Sequence, residues 1–431
     1  MPDTETTNTE TVTETIKLDT AIIGGGIAGL WLLNRLHTGG YRSALFESKA
    51  LGSDQSVGSQ GMIHGGMKYS LGGALSGASE AIADMPAHWR ACLEGRGDVD
   101  LSQAKILSDH FYMWSSASIA SKLTTFLASK ATRGRVDSLS AKDRPALFQH
   151  SSFSGTLYKL VDMVLDVPSV ITALAKNVKD NIHHIDWSQA QLKKDGQNNA
   201  YLLIHTADKC LRIEAQRLIF TAGRGNQELL QRLDLDSPKM QTRPLQQVML
   251  QSDQLSPFYG HCLGADKTPR LTISSHPFIA SDGHTKWVWY LGGSLSEKGA
   301  KQSAEHVIKV AKKELAELMP WLDLSNAQWS TLPIERAEPR QKNLLRPDKA
   351  FAAKAHGINN VMVAWPTKLT LAPNLANEIL DSLQADGITP SSCNNDGDAL
   401  NILPSPNIAV TPWQQAFKYK QKKTDSQIID T

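Results

Sequence analysis

Cysteine is scarce. The chain of 431 residues has four, Cys92, Cys210, Cys262 and Cys393, all far apart. That excludes a CxxC metal or redox pair and a disulfide framework, and it points to a reducing compartment. An excess of one charge is also lacking: 45 Lys and Arg nearly balance 43 Asp and Glu, for a formal net charge of +2. A nucleic-acid partner, which needs a basic footprint, is therefore not expected. No apolar run reaches about 18 residues, so no spanning helix is expected. The start, MPDTETTNTETVTET, has no apolar h-region and is not a secretory signal. Residues 1–16 read instead as a disordered leader. These absences make the expected location cytoplasmic. The one basic run, Lys418 to Lys423 in the tail, is either a solvated end or a peripheral contact with an anionic inner-membrane surface.

What is present begins with glycine. Ile16 to Ile23 reads as a buried strand, and Leu30 to Leu36 as a helix that ends near Gly39. Between them Gly24, Gly26 and Gly29 have the G-x-G-x-x-G spacing. Gly24 permits the tight turn, Gly26 lets backbone approach a pyrophosphate, and Gly29 lets helix and strand pack closely. Ile27 and Ala28 begin the helix, whose free N–H groups suit phosphate. A second strand, Ser43 to Phe46, ends at Glu47, followed by Ser48. A carboxylate there can accept both ribose hydroxyls and would repel a 2′-phosphate. The unit predicts a dinucleotide, FAD or NAD, and does not choose between them.

The segment Ser59, Gln60, Gly61, Met62, Ile63, His64, Gly65, Gly66, Met67, Lys68, Tyr69 is glycine-dense, yet too apolar for a solvated linker. It resembles a segment of the FAD-dependent oxidoreductases grouped with D-amino-acid oxidase and glycerol-3-phosphate dehydrogenase. There an Asn-x-Gly, two aliphatic residues and His-x-Gly precede a Tyr; Ser59 replaces the Asn here. Further stretches share the family's order. Ala215 to Gly223 resembles the strand that returns to the cofactor, with Ala222 and Gly223 beside its adenosine half. Asp166 to Ser169 resembles the entry to the interdomain helix. The strand Asn360 to Trp365, the turn Pro366, Thr367, Lys368, Leu369, Thr370 and the helix to Leu383 resemble the elements that close over the flavin.

The resemblance implies an α/β fold: a Rossmann-like (GR2-type) FAD-binding domain with an interleaved antiparallel-sheet substrate domain. Residues 17–90, 160–242 and 337–386 would form the first, 91–159 and 243–336 the second, and 387–431 a tail. It implies non-covalently bound FAD, held by the residues from Ser59 to His64 and from Pro366 to Thr370 together with the glycine turn. No metal is expected. Strands are predicted at Arg243 to Leu250, Arg270 to Ser274 and Lys286 to Ser294, and a charged helix at Ala304 to Met319. Helices near 80–95 and 117–131 would cap this domain.

By the same resemblance, Arg336 or Arg340 would hold a substrate anion, with Arg243 and Tyr69 as further contacts. A guanidinium fork grips a carboxylate through two bonds. Pairing of Arg336 with Glu335 or Glu338 on a surface loop is the alternative. His64 either takes a proton from substrate or only orients flavin. Lys368 would support the flavin's pyrimidine edge. His276 is read as exposed. The function implied is oxidation of a small anionic substrate at CH–OH or CH–NH by hydride transfer to flavin N5, most like 2-hydroxy-acid or glycerol-3-phosphate dehydrogenases. An amino-acid or secondary-amine oxidase remains open, as does a flavin-binding accessory protein without turnover. So does the electron acceptor: oxygen, a quinone or a protein.

Overall fold

The computed structural model describes residues 12–65, 82–116, 136–264, 268–280, 283–342, 347, 349–391 and 397–417. The chain opens with β1 (Glu14–Ile23), α1 (Ile27–Thr38) and β2 (Ser43–Glu47). The short β3 (Met62–Ile63) precedes α2 (Met85–Leu93), β4 (Ile106–Ser108), β5 (Phe111–Ser115) and β6 (Val136–Ser138). Next come β7 (Thr156–Leu160), β8 (Met163–Leu165), α3 (Val167–Asn177) and β9 (Ile182–His184). The strands β10 (Ala190–Lys194), β11 (Ala200–His205) and β12 (Cys210–Phe220) lead to α4 (Asn226–Gln231). The strands β13 (Met240–Gln251), β14 (Gly260–Cys262), β15 (Leu271–Ile279) and β16 (Thr285–Gly292) are followed by α5 (Ser294–Gly299) and α6 (Ala304–Leu318). The strands β17 (Gln328–Pro339), β18 (Phe351–Lys354) and β19 (Val361–Trp365) then lead into α7 (Ala372–Ala385).

The first sheet runs β10-β11-β12-β1-β2-β9, with β19 joined to β12 and β18 to β19. Its β1, β2, β9, β12 and β19 are parallel. Parallel strands are apolar on both faces because both faces are covered, and β1 is buried without a break from Leu18 to Ile23. One face packs on α1, α3 and α7, the other on a cluster around Phe46, Phe220 and Trp365. The register Ile23↔Phe46, Ile23↔Phe220 and Phe220↔Val363 brings the carboxyl ends of four strands to one edge. That edge is where open α/β sheets bind ligands. The second sheet runs β17-β13-β16-β15-β14-β5-β7-β6 and is antiparallel except for β14 on β5. Its cover is α6, whose Val307, Ala311 and Leu315 recur on one face and are buried. A small sheet, β3-β8-β4, joins the two layers.

Three expectations need correction. Residues 14–16 are not a leader: they pair with β12, Glu14 opposite Leu211. The helix Met85–Leu93 does not cap the second sheet. Its Trp89 is buried against Trp31 of α1, ring centroids 4.6 Å apart, because the apolar face Met85, Trp89, Cys92 completes the cluster over the first sheet. Residues 397–417 dock on the body of the molecule. Leu51 donates to Asn407 O at 2.7 Å, and Ala409 donates back to Leu51 O at 2.9 Å. Beyond this strap, Trp413 and Phe417 are buried against β15 and β16, and Trp413 stacks on His276 at 4.2 Å. His276, read as exposed, is therefore sealed at 0 % exposure. The expected helix at 117–131, Tyr69 and the basic run 418–423 lie outside the described residues. Among the described residues, no helix is long and apolar enough to cross a membrane.

Candidate active site

The turn after β1 is shaped by its glycines in different ways. Gly24 has φ +116°, a region L side chains rarely adopt. A Cβ at Gly29 would stand 2.0 Å from Gly24 O, so this glycine is required by packing. A Cβ at Gly26 would approach only Ser56 Oγ, at 3.2 Å. Helix α1 starts at Gly26, which has no side chain to cap it, and carries no acid in its first turn, so its positive end suits an anion. Ser56 Oγ accepts the Ile27 N–H at 3.1 Å. At the end of β2, Glu47 accepts from Gly25 N at 2.6 Å and from Lys49 N at 2.7 Å. Each carboxylate oxygen has a second acceptor position, so ribose hydroxyls can be taken without losing these bonds.

These groups line a cleft of about 1970 Å³ between the two large sheets. Of the residues expected at the cofactor, Gly24, Gly26, Ile27, Ala28, Glu47, Ser48, Ser59, Gln60, Gly61, Met62, His64, Ala222, Gly223 and Pro366 to Thr370 line it. Gly29 and Ile63 do not; they pack behind the wall. The turn before α7 is tight: Lys368 N donates to Pro366 O at 2.7 Å across Thr367, whose φ is +61°. A β-branched residue there is under strain. The facing wall comes from the second sheet through Gln247, His261 and Thr272, with Ser296 of α5. The strap adds Ala409, Val410, Pro412 and Gln415.

His64 is 7 % exposed and its Nδ1 lies 3.2 Å from Asp162 Oδ2. Its ring also stacks on His261 with centroids 5.9 Å apart. Asp162 drew no attention in the sequence: it is a lone acid between two apolar strands, 98 positions from its partner.

The arginines divide. Arg243 and Arg336 stand opposite each other in β13 and β17. Arg243 turns to the buried Glu338 through Nε and Nη2, and it does not line the cleft. Arg340 is exposed and also lies off the cleft. Arg336 lines it and pairs with neither flanking acid, since Glu335 pairs with Arg224 at 3.2 Å and Glu338 with Arg243. Its Nη2 lies 3.6 Å from Glu297, and its Nε donates to Arg243 O at 3.5 Å.

One cluster among the described residues has metal-ligand chemistry: His88, Cys92 and Asp98, with ligand atoms within 4.8 Å. Asp98 accepts from His88 Nε2 at 2.8 Å, from Cys92 Sγ at 3.2 Å and from the Arg35 guanidinium. Burial pushes the Cys92 thiol up to about 12. The guanidinium holds the carboxylate that a cation would need, so the cluster acts as a joint between α1 and α2.

The family described as FAD dependent oxidoreductase matches residues 19–372. A probable FAD-dependent oxidoreductase of Pseudomonas aeruginosa is 45 % identical over 405 residues, covering 94 % of this chain and 99 % of that protein. The crystal structure of that FAD-dependent oxidoreductase has a TM-score of 0.79 at 41 % identity, over 94 % of this chain and 99 % of the other. The FAD-bound L-α-glycerophosphate oxidase of Mycoplasma pneumoniae has a TM-score of 0.61 at 15 % identity, covering 86 % and 95 %. Glycine oxidase of Geobacillus kaustophilus has 0.59 at 15 %, covering 88 % and 100 %. The last two share the fold. A helix N-terminus with no acid in its first turn, a ribose-ready acid and a cleft edged by four strand ends suit FAD. The chain belongs to the family of FAD-dependent oxidoreductases that includes D-amino-acid oxidase, and it is a flavoenzyme.

Proposed function

We propose that this enzyme oxidises a small anionic substrate at a CH–OH group, a 2-hydroxy acid or a polyol phosphate, with His64 as the base. The observation that carries this is a buried imidazole on the cleft wall with a carboxylate at its Nδ1. FAD, when bound, would supply the hydride acceptor. Gly26, Ile27 and Ser56 would hold its pyrophosphate, Glu47 its ribose, and the segments 59–64 and 366–370 its ring. The bond to FAD is non-covalent, so acid precipitation releases all the flavin into the supernatant. His64 takes the hydroxyl proton at Nε2, and Arg336 fixes the anion so that the reacting C–H is oriented. The glycerophosphate oxidase that shares the fold supports such a substrate by analogy of fold alone.

The test is the anaerobic visible spectrum of the purified protein with 2-hydroxy acids, polyol phosphates, amino acids of both hands and N-methylated amines. Bleaching by a hydroxy compound is expected. His64→Gln should slow that bleaching by about 10²- to 10⁴-fold at unchanged flavin content. Arg336→Ala should raise KM by about 10- to 150-fold, the worth of a hydrogen bond to a charged group. Bleaching by amines alone would move the assignment to the amine-oxidising readings.

A further inference from the structure

The small sheet sets up an encounter that neither large sheet could. Strands β3 and β8 are antiparallel with Ile63 opposite Met163. The residue after β3, His64, therefore comes opposite the residue before β8, Asp162. Both are sealed, at 7 % and 4 % exposure. The two carboxylate oxygens divide their work. Oδ1 accepts the Gly65 N–H at 2.9 Å, and Oδ2 lies 3.2 Å from His64 Nδ1. The His64 backbone is fixed as well, its N–H donating to Thr370 Oγ1 at 3.3 Å.

We propose that Asp162 is a positioning residue that holds His64 in the tautomer protonated at Nδ1. An ionised carboxylate can only accept, so the nitrogen facing it must carry the proton. The hydrogen bond made by one ring nitrogen sets the state of the other. The lone pair then resides on Nε2. The anchor of Oδ1 on Gly65 keeps the carboxylate from swinging away, so the tautomer is set before substrate arrives. The same carboxylate stabilises the imidazolium once Nε2 has taken a proton. The value of this arrangement to turnover rests on the reading of His64 as base; the tautomer itself does not.

The test is a long-range ¹H–¹⁵N correlation spectrum of the holoenzyme labelled with ¹⁵N-histidine, at a pH where His64 is neutral. The His64 signal is identified by its loss in His64→Gln. The wild type is expected to show the Nδ1–H pattern. In Asp162→Asn the carbonyl can keep the Gly65 bond while the NH₂ faces the ring, which should flip His64 to Nε2–H. Anaerobic flavin reduction should then fall by up to about 10⁴-fold at neutral pH, the scale of a carboxylate-to-amide change behind a catalytic histidine. Flavin content should stay unchanged, and Asp162→Glu should restore the tautomer and part of the rate. A wild-type Nε2–H pattern overturns the inference, and this needs no variant to fold. An Asp162→Asn spectrum still showing Nδ1–H also overturns it. Full reduction by His64→Gln overturns the base reading and leaves the tautomer result to stand by itself.

Discussion

A side chain added at position 26 would project into the cleft, whereas one added at position 29 would strike the chain's own backbone. The two glycines share a motif and serve different ends. Gly26→Val should give nearly colourless protein, read as the ratio of visible to ultraviolet absorbance, with an apoprotein melting temperature close to the wild type. Gly29→Val should lower the melting temperature of the apoprotein itself, because its Cβ falls 2.0 Å from Gly24 O and overpacking costs typically about 1–3 kcal/mol or more. Equal losses of stability in both would contradict this division. At this scale the sequence was legible where chemistry needs fixed spacing. Gly24, Glu47 and His64 all reach the cleft wall. It was silent where two residues meet only through strand pairing, as Asp162 and His64 do. It also could not show which arginine turns inward, since Arg243 and Arg336 differ in the acid each meets and not in their own local pattern.

At the scale of elements, α2 shows how a tryptophan can serve the cofactor site from behind. Trp89 fills the gap beside Trp31, and its Nε1 donates to Thr370 O at 3.1 Å. Thr370 belongs to the cleft wall. Trp89→Ala should cost about 3–5 kcal/mol of stability. It should also weaken flavin retention, measured by gel filtration at limiting FAD. Trp89→Phe, which keeps the ring but drops the N–H, should recover most of the stability and less of the retention. Most elements were legible: the helix expected at 304–319 is Ala304–Leu318, and the strand expected from Arg243 is Met240–Gln251. The partner of α2 was not, since an apolar helix face does not say which sheet it will meet. Nor was the docking of the strap, although Trp413 and Phe417, one helical turn apart, were a usable signal.

For the whole molecule, burial of His276 and His183 makes stability fall in acid. Desolvation lowers His276 to about 3 and His183 to about 4, from an ordinary 6.5. Both are neutral in the fold and take up a proton on unfolding below pH 6.5. Their contribution is thus complete above pH 6.5 and is lost as pH falls toward 4. Each adds a slope of up to about 1.4 kcal/mol per pH unit. The urea midpoint should fall steeply from pH 6.5 to 4.5, and His276→Gln should fall less steeply. Parallel curves would mean that His276 already titrates in the native state. His276 lies under Trp413, so acid should release the strap early, and quenching of tryptophan emission by iodide would report it.

The strap has a further consequence in time. Ala409, Val410, Pro412 and Gln415 wall the cleft, yet the ribosome makes them after every other wall. All strands of both large sheets precede them in the chain. A chain stopped before residue 409 would therefore carry every strand of the nucleotide fold with one wall of its cleft missing.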